Sequence, residues 1–272
     1  MKKRNVIQLA FALFFNGYIV GFFKGKIFKG TTKHICLPVL NCYSCPGALG
    51  ACPIGAMQAV LGDPKKNFSF YVLGSIMLFG VIFGRLICGF MCPFGFFQDL
   101  LYKIKTKKKT LPPKIDKPLR YLKYLILVIF VIAMPLFLTN QFGLGAPYFC
   151  KLICPVGTLE GAAPLLIKNE FLRKSIGFLF SWKMGILLAI TLMSIFIARP
   201  FCKYICPLGA FYGLFNKVSF YKMEVDKEKC TGCKICEKKC PMNVEITKNI
   251  NTAECIRCGD CKNACPHAAI SS

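Results

Sequence analysis

Two cysteine runs near the C-terminus restrict what this chain can fold into more than any other feature. They read CTGCKICEKKCP at Cys230–Pro241 and CIRCGDCKNACP at Cys255–Pro266, and each is C-x2-C-x2-C-x3-C-P. Three thiolates this close together can cap three irons of one cubane, while the fourth reaches across to a second cluster. The spacing therefore predicts Cys230, Cys233, Cys236 and Cys265 around one [4Fe–4S] centre, and Cys255, Cys258, Cys261 and Cys240 around another. Zinc knuckles use two CxxC pairs separated by a longer loop and have no place for the third Cys. Two complete copies in tandem favour the cubane.

The tail from Met223 onward resembles the two-cluster bacterial ferredoxin family. That resemblance implies a small α+β module of pseudo-twofold symmetry, with two clusters within electron-transfer reach. Acids appear here and long apolar runs stop, which divides the chain into residues 1–222 and 223–272. Lys234, Lys238, Lys239 and Lys262 form either a docking face for an acidic partner or a solvated surface.

The remainder is built for lipid. Hydrophobic residues make up 55% of the 272 positions, yet the formal charge is +24. Membrane proteins combine the two easily, because cytoplasmic loops collect Lys and Arg. Nucleic-acid binding does not account for the charge, since the basic residues flank apolar spans and form no stripe of their own. Four segments approach the ~20 residues of helix that cross the bilayer: Val6–Phe23, Phe68–Leu86, Tyr121–Thr139 and Trp182–Ala198. No small-residue cleavage site follows the first, which reads as an uncleaved anchor. The most basic loop, with KIKTKKKT at its centre, lies between the second and third spans. The positive-inside rule then puts both termini of a multi-pass protein of the cell membrane in the cytoplasm.

Ten further cysteines accompany these spans. Cys52, Cys92, Cys154 and Cys206 each begin the phrase C-P-x-G, and Cys88, Cys150 and Cys202 stand four residues before three of them. The alternation of span and motif reads as a duplicated two-span unit. Proline disfavours αR in the residue before it and fits the first position of a helix, so each Cys before Pro is expected as an N-cap at the positive end of a helix dipole. The glycine lets backbone approach whatever the sulfur binds. Two CxxxC pairs supply the four thiolates of one cubane. Topology suggests an inner centre from Cys88, Cys92, Cys202 and Cys206, and an outer one from Cys150 and Cys154 with two of Cys42, Cys45 and Cys52. Cys36 is the expected spare. Disulfides compete for the outer group and Cu(I) for either.

Spans carrying CxxxCP, followed by a two-cluster ferredoxin tail, resemble the NapH/NosR family of membrane-bound polyferredoxins. This implies a membrane all-α domain of four transmembrane helices joined to a small α+β ferredoxin domain. The cofactors expected are two [4Fe–4S] clusters in the tail and one or two further iron–sulfur clusters in the membrane domain. The implied role is an electron-transfer subunit of an oxidoreductase complex, with no catalytic residues of its own. Its partners would be a cytosolic donor or acceptor such as a ferredoxin-like protein or flavoprotein, and a quinone or an extracytoplasmic flavoprotein or reductase. A quinol dehydrogenase subunit feeding a reductase and a copper-handling maturation protein are the competing readings. The extra CxxxCP at Cys150–Pro155 and the cysteine-rich first loop depart from the family pattern and suggest additional centres.

Phe94, Phe97, Leu101 and Ile104, spaced three and four apart beside lysines, predict an amphipathic helix lying on an anionic leaflet. His34 and His267 support no argument, and no GxGxxG, Walker A or Ser/His/Asp pattern is present.

Overall fold

Bilayer-length helices are the frame. The computed structural model describes residues 3–64, 69–141 and 143–271. Among these, Pro113–Phe137 (25 residues) and Phe178–Phe196 (19 residues) are long and apolar enough to cross a membrane. Much of their surface is uncovered: Leu125, Val128 and Phe137 of the first and Phe178, Leu188 and Leu192 of the second are exposed. Water does not tolerate apolar surface on this scale, and lipid does. Two charged residues of the first helix turn inward instead, Asp116 to Lys203 and Tyr204, and Lys123 to Glu254 of the tail.

The other two expected spans take a different form. The segment Val6–Phe23 is divided into helices Lys3–Phe15 and Ile19–Lys24. Between them the first loop captures the backbone: Leu49 N–H donates to Phe15 O (3.0 Å), and Tyr18 N–H donates to Gly47 O (3.2 Å). Those bonds replace the ones a continuous helix would make. The segment from Phe68, itself outside the described residues, to Leu86 contains a 14-residue helix, Phe70–Phe83. Fourteen residues rise only about 21 Å. This helix stops at Gly84 (φ +54°), where a Cβ would stand 2.5 Å from Asn216 Oδ1, so only glycine fits.

Two π-helical stretches, Leu127–Ala133 and Gly157–Ala162, occur shortly before Pro135 and Pro164. A proline cannot donate back to the preceding turn, and widening the helix accommodates the lost bond.

Each C-P-x-G phrase starts a helix. Cys52, Cys92 and Cys206 are extended N-cap residues, with proline at the first helical position; the helix after Cys154 begins at Pro155. Cys88, Cys150 and Cys202 sit in five-residue helices just upstream, Leu86–Phe90, Tyr148–Leu152 and Pro200–Tyr204. The helix expected on the leaflet surface spans Pro93–Tyr102 but is not free-standing. It packs against Lys3–Phe15 and Phe178–Phe196, and Phe94 and Gln98 are fully buried. Its inward face is needed at the site described below.

The tail has the expected α+β form. Strand Glu224–Val225 pairs antiparallel with Ile270–Ser271, and helices Ile235–Lys239 and Asp260–Ala264 pack together. Gly232 and Arg257, Lys234 and Gly259, and Asn243 and Ala268 all have positive φ. Each of these pairs has the same offset as Cys230 and Cys255, so the internal repeat extends to the backbone conformation.

Candidate iron–sulfur sites

Cysteine sulfurs gather at four places, beginning in the tail. Cys230, Cys233, Cys236 and Cys265 line one cavity. Cys240, Cys255, Cys258 and Cys261 line a second, and Ile246 lies in the wall of both. Each crossing cysteine accepts a backbone N–H four residues on: Val244 N–H to Cys240 Sγ (3.5 Å) and Ala269 N–H to Cys265 Sγ (3.4 Å). Such donors suit a thiolate, since hydrogen bonds to sulfur stabilise the negative charge of a ligated cluster.

A third cavity is walled by Cys88, Cys92, Cys202 and Cys206, with Pro38, Val39 and Leu40 closing it from the first loop. All four of these cysteines are buried. Gly209 N–H donates to Cys206 Sγ (3.3 Å), and the Gln98 amide donates to Cys202 Sγ (3.1 Å). Gln98 Oε1 also accepts Phe201 N–H at 3.1 Å, so one side chain joins the two motifs.

The fourth group is Cys42, Cys52, Cys150 and Cys154. Cys154 is within electrostatic reach of the other three, and Cys52 lies similarly close to Cys150 and Cys42. Gln58 repeats the role of Gln98 here: its amide donates to Cys150 Sγ (3.3 Å), and its Oε1 accepts Phe149 N–H (2.9 Å). Of the three first-loop candidates, Cys45 is the one set apart, its Sγ turned to Asn16 Oδ1 (3.4 Å). Ala48 stands four residues before Cys52, where the other motifs have a cysteine, and Cys42 supplies the fourth sulfur instead. Glu160 accepts Cys42 N–H at 2.9 Å, and burial pushes its carboxyl up to about 7.

Two further residues lie close to more than one of these sites. Gly89, next to Cys88, is so close to Ile256, next to Cys255, that a Cβ would meet Ile256 O at 2.4 Å. Tyr212, fully buried with its hydroxyl donating to Pro38 O (3.0 Å), is within electrostatic reach of Cys88 and Cys92 and of Cys36 and Cys52. Sequence reasoning missed Tyr212, both glutamines and the buried Arg85 and Arg199. The glutamines carry a readable signal, since C-P-x-G-x-x-Q recurs at Cys52 and Cys92. So do the arginines, which stand three residues before Cys88 and Cys202.

All eighteen cysteines are free thiols, so no bonded pair is found in the outer group. Among the described residues, no three His, Cys, Asp or Glu side chains close on one point as ligands of a single ion would. Four sulfurs around a shared space suit a polynuclear cluster better than a lone zinc or copper ion.

Comparison with known proteins agrees with this chemistry. A family profile described as a 4Fe-4S binding domain matches residues 50–71, 69–112, 123–168 and 179–223. A second, a 4Fe-4S dicluster domain, matches 222–266. An uncharacterized protein of Methanocaldococcus jannaschii is 36% identical over 202 residues, covering 72% of this chain and 75% of the relative. The ferredoxin-type protein NapH of Haemophilus influenzae is 23% identical over 202 residues, covering 70% and 62%. The regulatory protein NosR of Stutzerimonas stutzeri is 24% identical over 204 residues, covering 72% of this chain and 26% of its own length. The chain belongs to the NapH/NosR-type polyferredoxin family. It is thus an iron–sulfur, electron-transfer protein, and it spans only part of the length of these relatives. No solved structure matches it.

Proposed function

We propose that the protein is a membrane-bound electron conduit in which the four four-cysteine sites each hold one [4Fe–4S] cluster. Bound there, the clusters would supply one-electron redox chemistry. The protein's part is to fix their order, exclude water from the inner site and donate hydrogen bonds to the sulfurs. In this reading the tail, residues 223–272, exchanges electrons with a cytosolic donor or acceptor, and residues 1–222 carry them across four membrane segments with both termini in the cytoplasm. A quinone or an extracytoplasmic redox protein would meet the outer site.

The observation that carries the reading is the serial arrangement. Cavity one shares Ile246 with cavity two. Gly89 touches Ile256 between the second and the inner site, and Tyr212, bonded to Pro38 of the inner cavity's wall, is within electrostatic reach of cysteines of both the inner and outer sites. A hydrocarbon core ~30 Å thick needs intermediate stations if electrons are to cross it. Substituting Cys92 and Cys206 by serine in anaerobically purified protein should remove one electron paramagnetic resonance (EPR) signal and leave the two tail signals intact. Persistence of every signal would rule out the inner site as a cluster ligand set. Stoichiometric copper in place of that signal would favour metal handling.

A further inference from the structure

A cavity of about 250 Å³ opens where the tail meets the apolar domain, and electron transfer makes no use of it. Helix Lys3–Phe15, the end of helix Pro93–Tyr102 and the basic loop after it form one side, and tail residues from Lys238 to Asn243 form the other. Six cations line it, Arg4, Lys103, Lys109, Lys203, Lys238 and Lys239, against two acids, Asp99 and Asp260. Both acids are already engaged. Arg4 bridges them (3.4 and 2.8 Å), and Arg199, which is not in the wall, also pairs with Asp99 (2.6 Å). Lys203 is matched by Asp116 from outside the cavity (2.5 Å). With Arg199 and Asp116 included, seven cations stand against three acids. The excess of four is Lys103, Lys109, Lys238 and Lys239, none of which is ion-paired among the described residues.

These lysines are held in place by the fold. Lys109 N–H donates to Phe196 O (2.9 Å), and Lys108 Nζ donates to Ile104 O (2.7 Å) and Ile195 O (2.9 Å). Those bonds fasten the basic loop to the end of helix Phe178–Phe196. Of the four tail lysines read as a docking face or a solvated surface, Lys238 and Lys239 close helix Ile235–Lys239 and reach the wall. Asn5, also in the wall, is 1% exposed, and its Nδ2 has no hydrogen-bond partner; Arg4 Nε has none either. Buried donors are rarely left unpaired, and those that are point to an acceptor from outside the chain.

Four unpaired ammonium groups beside orphaned N–H donors suit an anion rich in acceptor oxygens. Lysine binds phosphate as a point charge, and basic pockets beside membrane helices on the cytoplasmic side take phosphate headgroups. Ile197 and Ala198 of the wall directly follow Phe178–Phe196. With that helix across a bilayer, the cavity opens at headgroup depth. A cavity of this size takes a headgroup or a small anion, not the face of a protein. We propose that it binds an anionic phosphate group, which ties the tail to the apolar domain from both walls at once. Binding uses no cluster chemistry, so it stands or falls apart from the conduit reading.

The test uses full-length, cluster-loaded protein in nonionic detergent and has two arms. In one, phosphatidylglycerol or phosphatidylcholine is added in mixed micelles and the retained lipid is counted by native mass spectrometry. In the other, the protein is dialysed to equilibrium against radiolabelled inorganic phosphate at fixed ionic strength. The expected result is saturable binding of one ligand per chain in at least one arm, with phosphatidylglycerol preferred over phosphatidylcholine if the lipid arm responds. Binding in the lipid arm alone identifies a headgroup, and binding in the phosphate arm alone a free anion. Lys103→Ala with Lys109→Ala, and Lys238→Ala with Lys239→Ala, should each weaken binding roughly tenfold or more. Lys227→Ala with Lys248→Ala removes two tail charges that do not line the cavity and should leave binding unchanged. All six are exposed lysines, so their loss spares the core. The bound ligand should also raise the thermal midpoint of the unsubstituted protein and not that of the two wall variants. No saturable binding in either arm, equal retention of the two lipids without phosphate binding, or equal weakening by all three double variants overturns the proposal.

Discussion

Which sulfur joins the outer site is decided by single side chains. Asn16 draws Cys45 away, while Cys42 stays beside Cys150 with its backbone N–H held by Glu160. Cys42→Ser should therefore abolish one EPR-detectable centre, and Cys45→Ser should leave all centres present at full spin count; the reverse pattern would contradict the placement. From spacing alone the two cysteines are equivalent, because the loop CYSC holds both within a turn of one another. Only the fold distinguishes them, through the break at 16–18 that brings Asn16 to the loop. The acid beside the inner site is governed by its neighbours too. Burial alone would push Asp99 up, but the Arg199 and Arg4 guanidiniums outweigh it and hold the carboxyl below its ordinary range.

At the scale of elements, the short helix Leu86–Phe90 is one of the contacts between tail and apolar domain. Gly89 faces Ile256 directly, and Arg257 locks the adjoining turn by donating to Phe83 O (2.9 Å) and Asn216 O (2.8 Å). Gly89→Val would drive a branched side chain into the Ile256 carbonyl, an overpacking penalty of about 1–3 kcal/mol. The expected outcome is a lower thermal midpoint and slowed oxidation of the tail centres by the membrane centres in rapid-freeze EPR. Unchanged transfer kinetics would place the route elsewhere. The grouping of the tail cysteines around two cavities, with Cys240 and Cys265 crossing between the runs, was legible in sequence, because cubane spacing and local turn chemistry coincide there. The first two apolar segments were read less well. Hydropathy registers apolar residues but not the backbone bonds from Leu49 and Gly47 that end a helix at Phe15, nor the close packing of Asn216 on Gly84.

Across the whole molecule, two different repeats are joined end to end. The tail repeats a cubane loop; the apolar domain repeats C-P-x-G, drawing the first phrase to the third and the second to the fourth. CxxxCP was enough to anticipate which motifs meet, because its alternation with the apolar segments sets the first phrase against the third and the second against the fourth. The glutamine and arginine bridges were not anticipated, since their meaning depends on partners about a hundred residues away in sequence. The central claim is that all four sites hold clusters. Iron and acid-labile sulfide counts on anaerobically purified, full-length protein test it most directly. Four irons per cubane gives ~16 irons and as many sulfides per chain, whereas ~8 of each, the load of the tail alone, would contradict the account.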